Sequence, residues 1–219
     1  MLETANFLLI KKNKMELYQE NLQQTWSEKD SFTNERYEQF CQYLKDGYSV
    51  LDIGCNTGRG GFTLKEKNPS LKLYGIELIK ERIEKIPANI YEQTFNNSII
   101  TYNCNNILFD AIIAGEVIEH IPNDLFIDML NNCKKLLKKD GVILFTTPNP
   151  NSLLVKLGRD AVYNDPSHVN IMSVKKFRNI VSKCGLGILN ITGSGKATRY
   201  LGQSFPMILY GSYLAVLHK

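Results

Sequence analysis

Two glutamates, a histidine and a second histidine further downstream are the residues of this 219-residue chain best suited to acid, base or metal chemistry. They stand in Glu116-Val117-Ile118-Glu119-His120-Ile121-Pro122 and in Asp165-Pro166-Ser167-His168-Val169. Glu116 and Glu119 are three apart and His120 adjoins Glu119, so in a loop or first helical turn two carboxylates and an imidazole can converge on one point. Three uses are open. The side chains can cap a helix and order neighbouring loops. His120 can take a proton from an oxygen nucleophile, since an unperturbed imidazole titrates near about pH 6.5. Or Glu116, Glu119, His120 and His168 can hold a divalent ion, for which mixed carboxylate and imidazole ligands are serviceable but unselective.

A second constellation is Val50-Leu51-Asp52-Ile53-Gly54-Cys55-Asn56-Thr57-Gly58, a carboxylate near the end of an apolar run followed by a tight turn. Glycines let the backbone bend and approach a ligand closely, and Asn56 is the non-glycine residue best able to adopt a left-handed conformation there. This is a nucleoside-binding position. A nicotinamide dinucleotide site would require G-x-G-x-x-G, and from Gly54 that pattern fails at Asn56 and Arg59. Leu73-Tyr74-Gly75-Ile76-Glu77 ends a second apolar run in an acid 25 residues after Asp52, where a carboxylate can accept the protons of two ribose hydroxyls.

Such groups need a scaffold, and the hydrophobic pattern supplies one. Short β-rich runs alternate with amphipathic helices, without internal repeats or low-complexity linkers. Helices are expected over Lys14–Gln24, Thr33–Leu44, Arg59–Lys67, Ile79–Ile86, Asp124–Lys138 (stopped by Gly141) and Ser173–Cys184. Strands are expected over Tyr48–Ile53, Lys72–Ile76, Ser98–Tyr102, Phe109–Ala114, Val142–Thr147, Ile188–Thr192 and Ile208–Leu217. Phe109–Ala114 is almost wholly apolar, as a strand covered on both faces of a parallel sheet should be. The order implies one α/β domain over 1–219: an N-terminal helical cap (1–46) and a doubly wound, Rossmann-like, mainly parallel seven-stranded core (47–219) with an insert near 148–172. Ligands of such sheets sit beyond the carboxyl ends of the strands.

Composition narrows the class. Hydrophobic residues at 43% and charged residues at 22% are those of a globular chain, and no apolar run approaches the ~20 residues of a membrane span. The stretch Met1–Ile10 lacks the apolar length of a signal peptide, and the five cysteines (41, 55, 104, 133, 184) show no CxxC pairing, so a cytoplasmic location with free thiols is expected. The net charge of +4 comes from scattered lysines, which read as a solvated surface rather than a nucleic-acid footprint.

The segment from Asp52 to Gly58 resembles motif I of the class I S-adenosylmethionine-dependent methyltransferases, an acid two residues before a Gly-x-Gly-x-Gly turn, with Asn56 replacing the middle glycine. The resemblance continues through Glu77, through Phe109-Asp110-Ala111-Ile112-Ile113-Ala114-Gly115-Glu116 and through Leu136 to Leu144, and covers roughly Gly47 to Thr192. It implies that Asp52 and the turn backbone (Gly54, Cys55, Asn56, Gly58) hold the methionine part of S-adenosylmethionine. Glu77 and Leu78 would hold the ribose side, with Gly115 and Glu116 completing the cofactor site. Many members carry an adenine-side acid after the third strand; Asn97 and Ser98 stand near that position instead. The tip Glu116 to His120 is similar to that of the ubiquinone-biosynthesis O-methyltransferases and of the small-RNA 2′-O-methyltransferases, where a downstream histidine completes a divalent-ion site.

By that resemblance the function is methyl transfer to an oxygen of a small-molecule or carbohydrate-type acceptor by in-line attack, with His120, His168 and Glu116 at the reacting end and the ion optional. RNA 2′-O-methylation is the alternative of another substrate class, and a non-catalytic cofactor-binding subunit is the non-enzymatic one. Acceptor contacts are expected from the cap (Tyr18, Trp26, Arg36), from the insert (Tyr163, His168) and from Thr147-Pro148-Asn149. Trp26 reads more readily as an aromatic packing an N-terminal helix.

Overall fold

The computed structural model describes residues 32–158, 165, 167–203 and 205–219, so the expected helix Lys14–Gln24 and Tyr18, Trp26 and Tyr163 lie outside the described residues. Helix α1 (Phe32–Cys41) leads into β1 (Ser49–Ile53), α2 (Arg59–Lys67), β2 (Lys72–Glu77), α3 (Lys80–Ile83) and β3 (Gln93–Asn96). Then come β4 (Phe109–Gly115), a 3-10 turn (Ile118–His120), α4 (Asn123–Leu136), β5 (Leu137–Pro148) and α5 (Leu153–Lys156). Helix α6 (Val174–Lys183), β6 (Gly187–Ser194), α7 (Thr198–Leu201) and β7 (Ser212–His218) follow. The sheet order is β3-β2-β1-β4-β5-β7-β6, and β7 runs antiparallel to both its neighbours. This is the mainly parallel seven-stranded sheet expected from the sequence.

Both faces of the sheet are covered because the central strands are apolar at odd and even positions alike. Leu51, Ile112, Ala114, Ile143, Phe145, Tyr213 and Ala215 pack with Phe126, Met129 and Leu130 of α4 and with Phe177 and Val181 of α6. Val50, Ala111, Ile113, Leu144, Leu214 and Val216 pack the opposite way, against Tyr37 and Phe40 of α1 and Leu64 of α2. The strand order reverses between β1 and β4, which opens a crevice beyond their carboxyl ends.

Three local expectations are corrected. The third strand is Gln93–Asn96, paired with β2, whereas the expected strand Ser98–Tyr102 is a turn. Thr101 and Tyr102 donate backbone N–H groups to the Ser98 carbonyl and Ile100 N–H reaches the Ser98 hydroxyl, so a serine-led turn satisfies the groups a ladder would have used. Gly141 does not stop α4: the helix ends at Leu136 and Gly141 lies inside β5, where an added Cβ would stand 2.9 Å from the Asp110 carbonyl. The glycine marks close approach to β4, not a cap. The last run, Ile208–Leu217, divides into a 3-10 turn (Met207–Leu209) and β7.

Candidate active site

The turn after β1 is built on three left-handed residues, Gly54 (φ 69°), Asn56 (φ 50°) and Gly58 (φ 84°). Asn56 thus does what a glycine otherwise would. The Gly54 N–H donates to the Ile76 carbonyl at 2.8 Å, lashing the turn to β2, and a Cβ at Gly54 would lie 2.7 Å from a Val117 methyl. Glu77 closes the arrangement from below: one carboxylate oxygen accepts the Asn56 N–H at 3.1 Å, the other the Ile79 N–H at 2.9 Å, and Arg82 stands 3.9 Å away. Each oxygen retains a lone pair for a further donor.

An open cleft of about 710 Å³, its mouth included, lies over these strand ends. The wall includes Gly54 and Asn56 of the turn, Glu77, Leu78 and Arg82 after β2, Asn97 and Ser98 after β3, and Gly115, Glu116 and His120 after β4. Asp52, Cys55 and Gly58 are not among the wall residues. Asp52 is fully buried, with Tyr37 and Tyr91 donating their hydroxyls to its two oxygens at 2.7 and 2.6 Å. Burial, with Glu77 nearby, pushes its carboxyl up to about 7 against the opposing effect of the two tyrosines. The Cys55 side chain points into the sheet, its sulfur 2.7 Å from where a Cβ on Gly75 would be.

At the tip of β4, Glu116 takes a positive φ of 56° while its N–H donates to the Thr146 carbonyl. Arg36 of α1 lies 3.4 Å from one Glu116 oxygen and the Ser212 hydroxyl 3.4 Å from the other. Glu119 turns inward: Thr147 donates its hydroxyl to one oxygen at 3.1 Å, while the other is buried without a hydrogen-bond partner among the described residues. Burial, then the neighbouring Glu116, holds the Glu119 carboxyl far above the usual carboxylate range.

The His120 Nδ1 faces the Ser167 carbonyl at 3.1 Å. A carbonyl only accepts, so this nitrogen carries the ring proton and Nε2 presents its lone pair. Burial and the adjacent His168 depress His120 to about 4, so the ring is neutral at physiological pH. The insert supplying Ser167 and His168 is docked by Asn170, whose backbone N–H reaches the Glu119 carbonyl and whose amide reaches the Ile121 carbonyl, both at 2.9 Å.

Of the four residues proposed as metal ligands, the fold gathers Glu119, His120 and His168, whose donor atoms lie within 4.8 Å of one another. Glu116 stands apart, facing Arg36 and Ser212. An unpartnered buried carboxyl oxygen beside a neutral imidazole suits a small divalent cation. Such an ion would supply Lewis acidity to an acceptor hydroxyl.

Several groups at the site were not read as such from the sequence. Tyr37 belongs to the apolar stripe of α1 and looks like core; Tyr91 and Arg82 sit in stretches without a motif. Arg36, considered for the acceptor, faces Glu116.

The methyltransferase domain family matches residues 18–191. A ubiquinone biosynthesis O-methyltransferase of Actinobacillus pleuropneumoniae is 33% identical over 113 residues, 47% of each chain, so the matched stretch spans about half of that enzyme. Another, of Coxiella burnetii, is 26% identical over 168 residues, 69% of each chain. Among solved structures, a TehB-like S-adenosylmethionine-dependent methyltransferase of Corynebacterium glutamicum superposes with a TM-score of 0.63 at 18% identity, over 100% of this chain and 98% of that one. The small RNA methyltransferase HEN1 superposes with a TM-score of 0.69 at 16% identity, over 90% of this chain and 26% of that one. Matched by the family over residues 18–191 and built on a β3-β2-β1-β4-β5-β7-β6 sheet, the chain belongs to the methyltransferase domain family and has the class I S-adenosylmethionine-dependent methyltransferase fold.

Proposed function

We propose that this protein transfers the methyl group of S-adenosylmethionine to an oxygen of a small-molecule acceptor, phenolic or carbohydrate-like. The observation that carries this reading is the single cleft in which Glu77 and the left-handed turn face Glu116 and His120 across the ends of β1, β2 and β4. Glu77 would accept both ribose hydroxyls, Asn97 and Ser98 would meet the adenine edge, and Gly54, Asn56 and Gly115 would line the methionine part. The adjacent opposite charges of Arg36 and Glu116 match the two charged ends of an amino acid. The sulfonium is already a good leaving group, so the protein's main task is in-line positioning. His120, neutral and with Nε2 open, would receive the proton that an acceptor hydroxyl loses.

A second reading of the same tip is favoured by the unpartnered Glu119 oxygen: Glu119, His120 and His168 would hold a divalent ion that acidifies the acceptor hydroxyl. Relatives named ubiquinone biosynthesis O-methyltransferases support oxygen on a small molecule over RNA. The test is to incubate the protein with labelled S-adenosylmethionine and pooled phenols, sugars and short RNAs, with and without EDTA. Label on a small hydroxylated acceptor is expected. Label on RNA alone would overturn the substrate class, and loss of activity in EDTA restored by Mg²⁺ or Mn²⁺ would select the metal reading over the imidazole base.

A further inference from the structure

Tyr37 and Tyr91 each donate to one of the two Asp52 oxygens, and each crosses a glycine to do so. A Cβ on Gly60 would fall inside the Tyr37 ring, and one on Gly61 would meet the Tyr91 hydroxyl. Gly115 and Gly75 clear the same two rings further along, at 3.1 and 3.4 Å. Two consecutive glycines in the first turn of α2 lower its helical propensity, and a fully buried carboxylate without an ion pair among the described residues lowers stability again. Local and electrostatic preferences are therefore both overridden at one point, directly beneath the Gly54–Gly58 turn. Features that oppose stability this consistently mark function rather than packing.

We propose that Asp52 is a positioning residue: with Tyr37 and Tyr91 it forms a latch that fixes the cofactor turn and fastens helix α1 to it. The consequence lies one residue back, where Arg36 is held 3.4 Å from Glu116 of the cleft wall. Thus a carboxylate outside the cleft wall is tied through α1 to the cation that faces Glu116 of that wall. The proposal rests on the cofactor reading above, which gives the turn something to bind. The groups facing Asp52 are Tyr37 from α1, Cys55 from the turn, Glu77 from the end of β2 and Tyr91 from the segment before β3, with Arg36 beside Tyr37. The two phenols are the donors that steady the ionised carboxylate, so removing either should make it harder to ionise.

The experiment is calorimetric binding of S-adenosylhomocysteine to the full chain between pH 6 and 8.5, for wild type, Tyr37→Phe, Tyr91→Phe and Asp52→Asn. The phenylalanine variants keep each ring over its glycine and should still fold, their melting temperature falling by no more than the loss of one buried hydrogen bond. Their affinity should fall about tenfold each, the size of one charge-assisted hydrogen bond. The pH at which affinity is half-maximal should move upward in both, and the Asp52-dependent transition should vanish in Asp52→Asn. Should Asp52→Asn fail to fold, the two phenylalanine variants carry the test alone. Affinities within twofold of wild type at every pH, with an unmoved midpoint, would overturn the latch while leaving the cofactor reading intact. Wild-type silence toward S-adenosylhomocysteine would overturn both.

Discussion

His120 and His168 meet edge to face, with ring centroids 4.6 Å apart and ring planes at 63°. One comes from the turn after β4 and the other from the insert after β5, and the Ser167 carbonyl orients the first while the backbone carries the second. Burial, and then the second imidazole at this distance, disfavours a positive charge on His120, which leaves its ring neutral with the Nε2 lone pair unprotonated. The pair is thus arranged either to take a proton or to share a cation.

The two uses separate by substitution. His120→Ala should lower turnover by about 10²- to 10⁴-fold with the affinity for S-adenosylhomocysteine nearly kept. If His120 is the base, the residual rate rises with pH as the acceptor ionises unaided. If it is a ligand, EDTA reproduces the defect in wild type and Glu119→Ala and His168→Ala share it. Wild-type turnover in all three variants would reduce the cluster to a loop-ordering device.

Glu77→Ala should weaken S-adenosylhomocysteine binding by about tenfold or more, because charge-assisted bonds are worth roughly 1.5 to 3 kcal/mol each. It also strips the Asn56 and Ile79 N–H groups of their acceptor. Titration calorimetry on the folded variant measures this, and unchanged affinity would remove Glu77 from the ribose site.

Asp52 makes stability depend on pH in an unusual direction for a carboxylate. Its folded-state value near 7 lies above the unfolded one, so between about pH 4 and pH 7 the folded chain holds a proton that the unfolded chain has released. Stability is therefore fullest below that window and declines as pH rises through it, by on the order of 4 kcal/mol for a shift of about three pH units. Denaturant melts of the unliganded protein across this range should show Asp52→Asn gaining on wild type as pH rises; a constant difference between them would contradict the assignment.

Gly60→Ala should destabilise by about 1 to 3 kcal/mol, although alanine is the better helix former by about 1 kcal/mol. The added methyl has no room beside the Tyr37 ring. A urea midpoint at or above that of wild type would show that the ring moves aside freely.

The amino-acid order by itself determined the sheet and much of the cleft wall. Continuous apolar strands such as Phe109–Ala114 and a stripe like that of α4 can be satisfied only by a layered α/β sheet, and Gly54, Asn56 and Gly58 carry their left-handed geometry in their own residue types. The place of Glu77 in the cleft wall was legible because it ends the strand paired beside β1. What local pattern could not decide depends on contacts between distant segments. Tyr37 and Tyr91 look like core and loop until the fold sets both hydroxyls on Asp52. The sequence grouped Glu116 with Glu119, His120 and His168, but Glu116, at a positive φ, faces Arg36 and leaves the other three as the cluster. Spacing along the chain fixes which residues can share a turn; the direction each side chain takes from that turn is set by the neighbours that tertiary packing brings to it.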